Sequence, residues 1–131
     1  MRIELVCLVV NALWGFGLVF LEINAKTRVA GLAWNTGNRD PSAAPPFPAW
    51  IDRLGRAIGN HKENFPLFAT AVLVAVVTGH VNQVTAIAAV VYVVARAAHA
   101  AFYMGGITGV RSAVWIVGIL STLTIFSQLL F

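Results

Sequence analysis

Four stretches of this chain are apolar over lengths close to the ~20 residues a helix needs to cross a hydrocarbon core. They occupy about residues 3–21, 66–79, 82–104 and 113–131, the first and last within helices expected over 3–24 and 111–131. The second is short until the polar stretch before it is added, and its helix is then expected over residues 48–79. Pro48 suits the first turn of that helix, and Pro66, inside it, predicts a kink. The only long connection precedes Pro48 and carries Gly31, Gly37, Pro41, Pro45 and Pro46 among turn-forming Asn and Asp residues. The other two connections, around Gly79-His80 and from Gly105 to Gly109, are short. Short turns favour antiparallel neighbours, so the pattern predicts an all-α membrane protein. It would be one domain over residues 1–131, an up-down bundle of four transmembrane helices.

Two polar stripes interrupt this apolar pattern. Arg53, Arg56, Asn60 and Glu63 are spaced three, four and three residues apart, which places them on one side of a helix. Tyr92, Arg96, His99 and Tyr103, spaced four, three and four, do the same on the third helix. A charged stripe entering a membrane is costly and is normally kept for a ligand or a partner helix. An Arg facing lipid costs roughly 2.5–3.5 kcal/mol even on the lenient insertion scale. Arg96 is therefore expected to point inward, toward a carboxylate such as Glu63.

Composition agrees with the pattern. Of 131 residues, 59% are hydrophobic and 11% charged, against about 25% charged in soluble domains, and the mean hydropathy is +0.80. The first apolar run exceeds the 7–15 residues of a signal-peptide core, and Glu4 offsets Arg2, so it reads as a retained helix. Cys7, the only cysteine, excludes an intramolecular disulfide and a Cys-based metal site. His61, His80 and His99 form no ligand cluster, and no metal site is expected.

The net charge of +4 has a topological reading. Lys26, Arg28, Arg39, Arg53, Arg56 and Lys62 lie between the first two apolar segments, and Arg111 follows the third. The positive-inside rule turns those connections to the cytoplasm and puts both termini on the non-cytoplasmic side, with Arg2 dissenting. Basic loops beside anionic lipid account for the charge, and no nucleic-acid partner is expected.

Helical rise places the polar groups at one depth. Counted from Gly79, Glu63 lies about 24 Å in and Asn60 about 29 Å. Counted from Asn82, Arg96 lies about 21 Å in, His99 about 26 Å and Tyr103 about 32 Å. Counted back from Phe131, Trp115 lies about 24 Å in and Arg111 about 30 Å. The three counts meet in the inner leaflet, where Arg53, Arg56, Arg96 and Arg111 outnumber Glu63 and Asp52. Interhelical polar glue would explain single members of this set, and Tyr103 and Trp115 also fit an interfacial aromatic belt. The cationic surplus as a whole suits an anionic ligand with one amine.

The stretch Arg53-x-x-Arg56-x-x-x-Asn60-x-x-Glu63-Asn64-x-Pro66 resembles the signature of the membrane-associated proteins in eicosanoid and glutathione metabolism, the MAPEG family. Arg96-x-x-His99-x-x-x-Tyr103 and the following Arg111-Ser112 resemble that family's third helix and the start of its fourth. The segment from Gly37 to Asp40 is similar to bacterial members, which implies a bacterial inner membrane. The resemblance covers essentially the whole chain. It implies a homotrimer that binds glutathione between subunits near the cytoplasmic face, and an activity like that of microsomal glutathione transferases. Residue by residue, Arg56, Asn60, Glu63, His99 and Tyr103 match glutathione-binding positions. Arg111 matches the arginine held to stabilise the glutathione thiolate, and Ser112 the serine beside it. Arg28, just beyond the first helix, resembles a further glutathione-binding arginine. Arg53, Arg96 and Trp115 complete the expected binding set. Gly59 and Trp115 depart from the prostaglandin E synthase branch, which has an arginine and a tyrosine there.

The function so implied is conjugation or reduction of hydrophobic electrophiles or lipid hydroperoxides, the second substrate arriving laterally from the bilayer. Two other classes compete with it. A non-catalytic membrane scaffold of the same fold would lack the need for both Arg111 and Ser112. A small four-helix exporter would need a carboxylate near mid-bilayer, whereas Glu4 and Glu22 lie at the ends of the first helix.

Overall fold

The computed structural model describes residues 2–130, so Met1 and Phe131 lie outside it. The described residues form five α-helices and no strand. These are α1 (Ile3–Ala30), α2 (Leu32–Thr36), α3 (Ala49–Thr78), α4 (Gln83–Gly105) and α5 (Thr108–Ser127), with a 3₁₀ turn at Pro41–Ala43. Three of them, α1, α4 and α5, are long and apolar enough to cross a membrane. α3 is longer than any of these, at 30 residues, but its first half carries the charged stripe.

The helix bounds depart from the sequence pattern where polarity and helicity part company. α1 continues to Ala30 rather than ending near residue 24. Asn24, Lys26, Thr27 and Arg28 are polar, yet none breaks a helix. The Asn24 amide donates to the Phe20 carbonyl oxygen, and Lys26 Nζ pairs with Glu22 Oε1 at 2.7 Å one turn back. Gly31, at φ 87°, ends the helix. Arg28 therefore belongs to the last turn of α1 and does not lie beyond it. Pro48 stands at the N-cap of α3, and the helix runs unbroken through Pro66. α5 begins at Thr108, so Arg111 sits inside its first turn.

α4 packs against α1, α3 and α5, its longest contact being with α5, while α1 and α3 also meet. Small side chains make this approach close. Ala57, Ala71 and Ala75 of α3 and Ala88, Ala89, Ala95 and Ala100 of α4 are all buried, which lets helix backbones near each other where lipid supplies no hydrophobic drive. Midway along the bundle, the Phe68 and Tyr92 rings stack with centroids 3.8 Å apart, and toward the chain termini polar contacts join the helices. Glu4, 4% exposed, accepts a 2.6 Å hydrogen bond from Thr85 Oγ1, which joins α1 to α4. Asn82 caps α4 through Val84 and Thr85 N–H and donates to Gln128 Oε1 beyond α5. At the opposite end, α2 folds back on α1 through Asn35 Nδ2, which donates to Thr27 Oγ1 at 2.7 Å. The α4–α5 turn reaches that same end.

Candidate functional site

Near the α4–α5 turn, α3, α4 and α5 surround a cleft of about 350 Å³ lined by Asn60, His99, Tyr103, Arg111, Ser112, Trp115 and Ile116. Each helix contributes by register. His99 and Tyr103 stand four residues apart on α4, as do Arg111 and Trp115, and Ser112 and Ile116, on α5. His99 is almost fully buried, and its ring meets the Tyr103 ring edge-on at 5.4 Å. The Arg111 guanidinium lies 4.4 Å from the centre of the Tyr103 ring. That cation–π contact holds the charge at the mouth of the cleft without neutralising it. The Ser112 hydroxyl donates to the Thr108 carbonyl oxygen at 3.2 Å. No carboxylate lines this cleft.

The remaining members of the expected set stand elsewhere. Arg96, 3% exposed, lies behind the cleft and donates from Nη2 to Asn60 Oδ1 at 2.9 Å. Its expected partner, Glu63, is exposed, and the one ion pair among the described residues is Lys26–Glu22. Helix geometry turns Glu63 away from Arg96. Seven residues fall only about 20° short of two helical turns, so Arg53 and Asn60 share one line along α3 and Arg56 and Glu63 share another. The two lines differ by about 60° at 100° per residue. The first faces α4 and the second faces out. Arg53 accordingly reaches the end of α4, with Nη1 3.5 Å from the Met104 carbonyl oxygen, rather than the cleft. Arg28 lines a separate hollow of about 280 Å³ between α1 and α3, with Asn24, Pro48 and Trp50.

Asn64 has a part that its mention in the motif did not reveal. Buried one turn after Asn60, it donates from Nδ2 to the Asn60 carbonyl oxygen at 2.8 Å. The i, i+4 spacing of the two asparagines was the available signal. His61 lies against α1 instead, where Gly15 makes room for its ring, which stacks on Phe65 at 5.6 Å.

All-helical over the described residues, with three membrane-length apolar helices, the chain falls in the class of integral membrane proteins, and the cleft at one end is its candidate polar site. The model of the MAPEG family matches residues 5–131, and the chain belongs to that family. No curated protein matches it.

Proposed function

We propose that the protein is a glutathione-dependent membrane enzyme that conjugates or reduces hydrophobic electrophiles or lipid hydroperoxides. The observation that carries this reading is the Arg111 charge, poised over Tyr103 on a cleft whose polar lining has no carboxylate. Such a cleft suits an anion rich in acceptors. Glutathione brings two carboxylates and a thiol, and only its thiolate attacks electrophiles well. A guanidinium near the sulfur in a partly desolvated site favours ionisation, each pKa unit corresponding to about 1.4 kcal/mol. In this reading Arg111 supplies that charge. Ser112 exchanges its 3.2 Å bond to Thr108 for one to the sulfur. Asn60, His99 and Tyr103 orient the tripeptide. The thiolate then forms a C–S bond to an electrophilic carbon as the leaving group departs with its electron pair.

The reading includes a homotrimer of four-helix subunits, with α3 as a fourth span and the cleft on the cytoplasmic side. Arg56 and Glu63 support it, because they are exposed along one line of α3 beside Leu67. Left facing lipid near the inner edge of the hydrocarbon, the Glu63 charge would be disfavoured. A neighbouring subunit covers that line, and Arg56 and Glu63 then hold a carboxylate and the α-amine of a ligand bound between subunits. Arg28 joins the site from the neighbour in the same way.

Calorimetric titration of the detergent-purified protein with glutathione tests this function. Saturable binding is expected, with turnover of a chlorinated nitrobenzene as the catalytic counterpart. Absence of binding would overturn the proposal.

A further inference from the structure

Asn60 is held from behind. Arg96, buried on α4 with its stem beside Gly118 of α5, donates from Nη2 to Asn60 Oδ1 at 2.9 Å. Asn64 Nδ2 leans on the same oxygen at 3.4 Å and on the Asn60 backbone carbonyl at 2.8 Å. A guanidinium has donors only, so the amide atom that faces it must be oxygen. The amide orientation at position 60 is thus dictated by chemistry rather than left to chance. Asn60 Nδ2 makes no hydrogen bond among the described residues, and Asn60 lines the cleft.

We infer that Arg96 is a positioning residue: by occupying Asn60 Oδ1 it turns the amide N–H groups into the cleft and selects a ligand acceptor there. The inference rests on the glutathione reading and deepens it. The glutathione group opposite Asn60 is a carboxylate or a peptide carbonyl, and the α-amine is bound elsewhere. Arg96 does not line the cleft, and it acts on the ligand through Asn60. Its charge has no carboxylate partner among the described residues, which makes an acceptor oxygen on Asn60 all the more necessary in a buried setting.

The test is a set of glutathione titrations on the full-length protein in detergent, each paired with thermal unfolding. Asn60→Asp gives Arg96 a better partner, yet removes the N–H donors and faces the ligand with a carboxylate. Its unfolding temperature should hold or rise while glutathione affinity falls about tenfold or more, the worth of a lost hydrogen bond to a charged group. Arg96→Met should weaken binding about fivefold in the wild-type background and have little further effect in the Asn60→Ala background, because both changes remove one interaction. Arg96→Lys, which keeps a donor, should recover part of the loss. Equal losses from Arg96→Met in both backgrounds, or an Asn60→Asp protein that binds as the wild type does, would overturn the assignment. Should Arg96→Met fail to fold, the Asn60→Asp arm decides, since it leaves Arg96 in place. A wild-type protein that binds no glutathione would instead remove the reading of the cleft itself.

Discussion

The Arg53 guanidinium lies against Gly106 so closely that a Cβ there would stand 2.7 Å from Nη1 and 2.9 Å from Cζ. Gly106 ends α4 at φ 75°, ψ 20°, a left-handed conformation in which its N–H reaches back to the Phe102 and Tyr103 carbonyl oxygens. Arg53 of α3 thereby clamps the two-residue turn between α4 and α5. Arg111 follows five residues on. In this position Arg53 complements the negative end of α4 and fixes the geometry of the hairpin that carries the candidate site.

Gly106→Ala should therefore be damaging twice over. The left-handed backbone costs roughly 1–2 kcal/mol for an L-residue, and the new methyl displaces Arg53. Thermal unfolding in detergent should drop by several degrees and glutathione affinity should fall with it. Adding Arg53→Ala relieves the clash but not the backbone, so the double variant should regain only part of the stability. An unchanged unfolding temperature for Gly106→Ala would count against the clamp.

Two glycines two residues apart on α1 offer an internal control. A Cβ at Gly15 would meet His61 Nε2 at 2.7 Å, whereas one at Gly17 would meet nothing within 4 Å. Gly15→Ala is expected to push the His61 ring from its seat against α1 and cost about 1–3 kcal/mol, as overpacking does. Gly17→Ala should be neutral or stabilising by up to about 1 kcal/mol through helix propensity. Chemical unfolding of the two variants side by side reads the difference. Equal behaviour would contradict the close α1–α3 approach.

The buried Glu4–Thr85 bond should matter in proportion to the burial of the carboxylate. Thr85→Val removes the 2.6 Å donor and leaves the Glu4 oxygen unsatisfied, at a cost of about 1–3 kcal/mol. Thr85→Ser keeps the hydroxyl and should stay close to the wild type. A Val variant as stable as the Ser variant would show that the bond adds nothing.

Glu63→Gln separates ligand binding from assembly. Its carboxylate is exposed in one subunit and has no ion-pair partner among the described residues. The proposed role at the α-amine requires weaker glutathione binding, by about tenfold, from a protein whose mass in detergent still corresponds to three chains. Dissociation into single chains would assign Glu63 to the interface instead.

Much of this architecture was legible from apolar length and spacing alone. On α4, His99 and Tyr103 face the cleft as their spacing suggests, while Tyr92, on the same side, continues into the core beside Phe68. The end of α1 was not legible in this way, because Lys26 and Arg28 mark where the chain leaves an apolar environment, and a helix does not have to stop there. The stripe on α3 does not form a single face. Spacings of three, four and three approximate one face, but they divide into pairs seven residues apart, and those pairs look in different directions. Arg53 and Asn60 meet α4, while Arg56 and Glu63 are exposed and have no ion-pair partner among the described residues. No sequence pattern distinguishes Asn60 from Glu63 as the partner of Arg96. That choice depends on the rotation of α3 against α4, where Leu54 and Ile58 of α3 share a buried cluster with Ala100 of α4.

The most direct measurement is the ultraviolet absorbance of thiolate when glutathione is added near neutral pH to the wild-type protein and to Arg111→Ala. A thiolate signal that saturates with the wild type and is lost or greatly reduced in the variant, with the variant still folded, is the expected result. Equal thiolate in both proteins would contradict the central claim that the Arg111 charge at this cleft ionises the bound thiol.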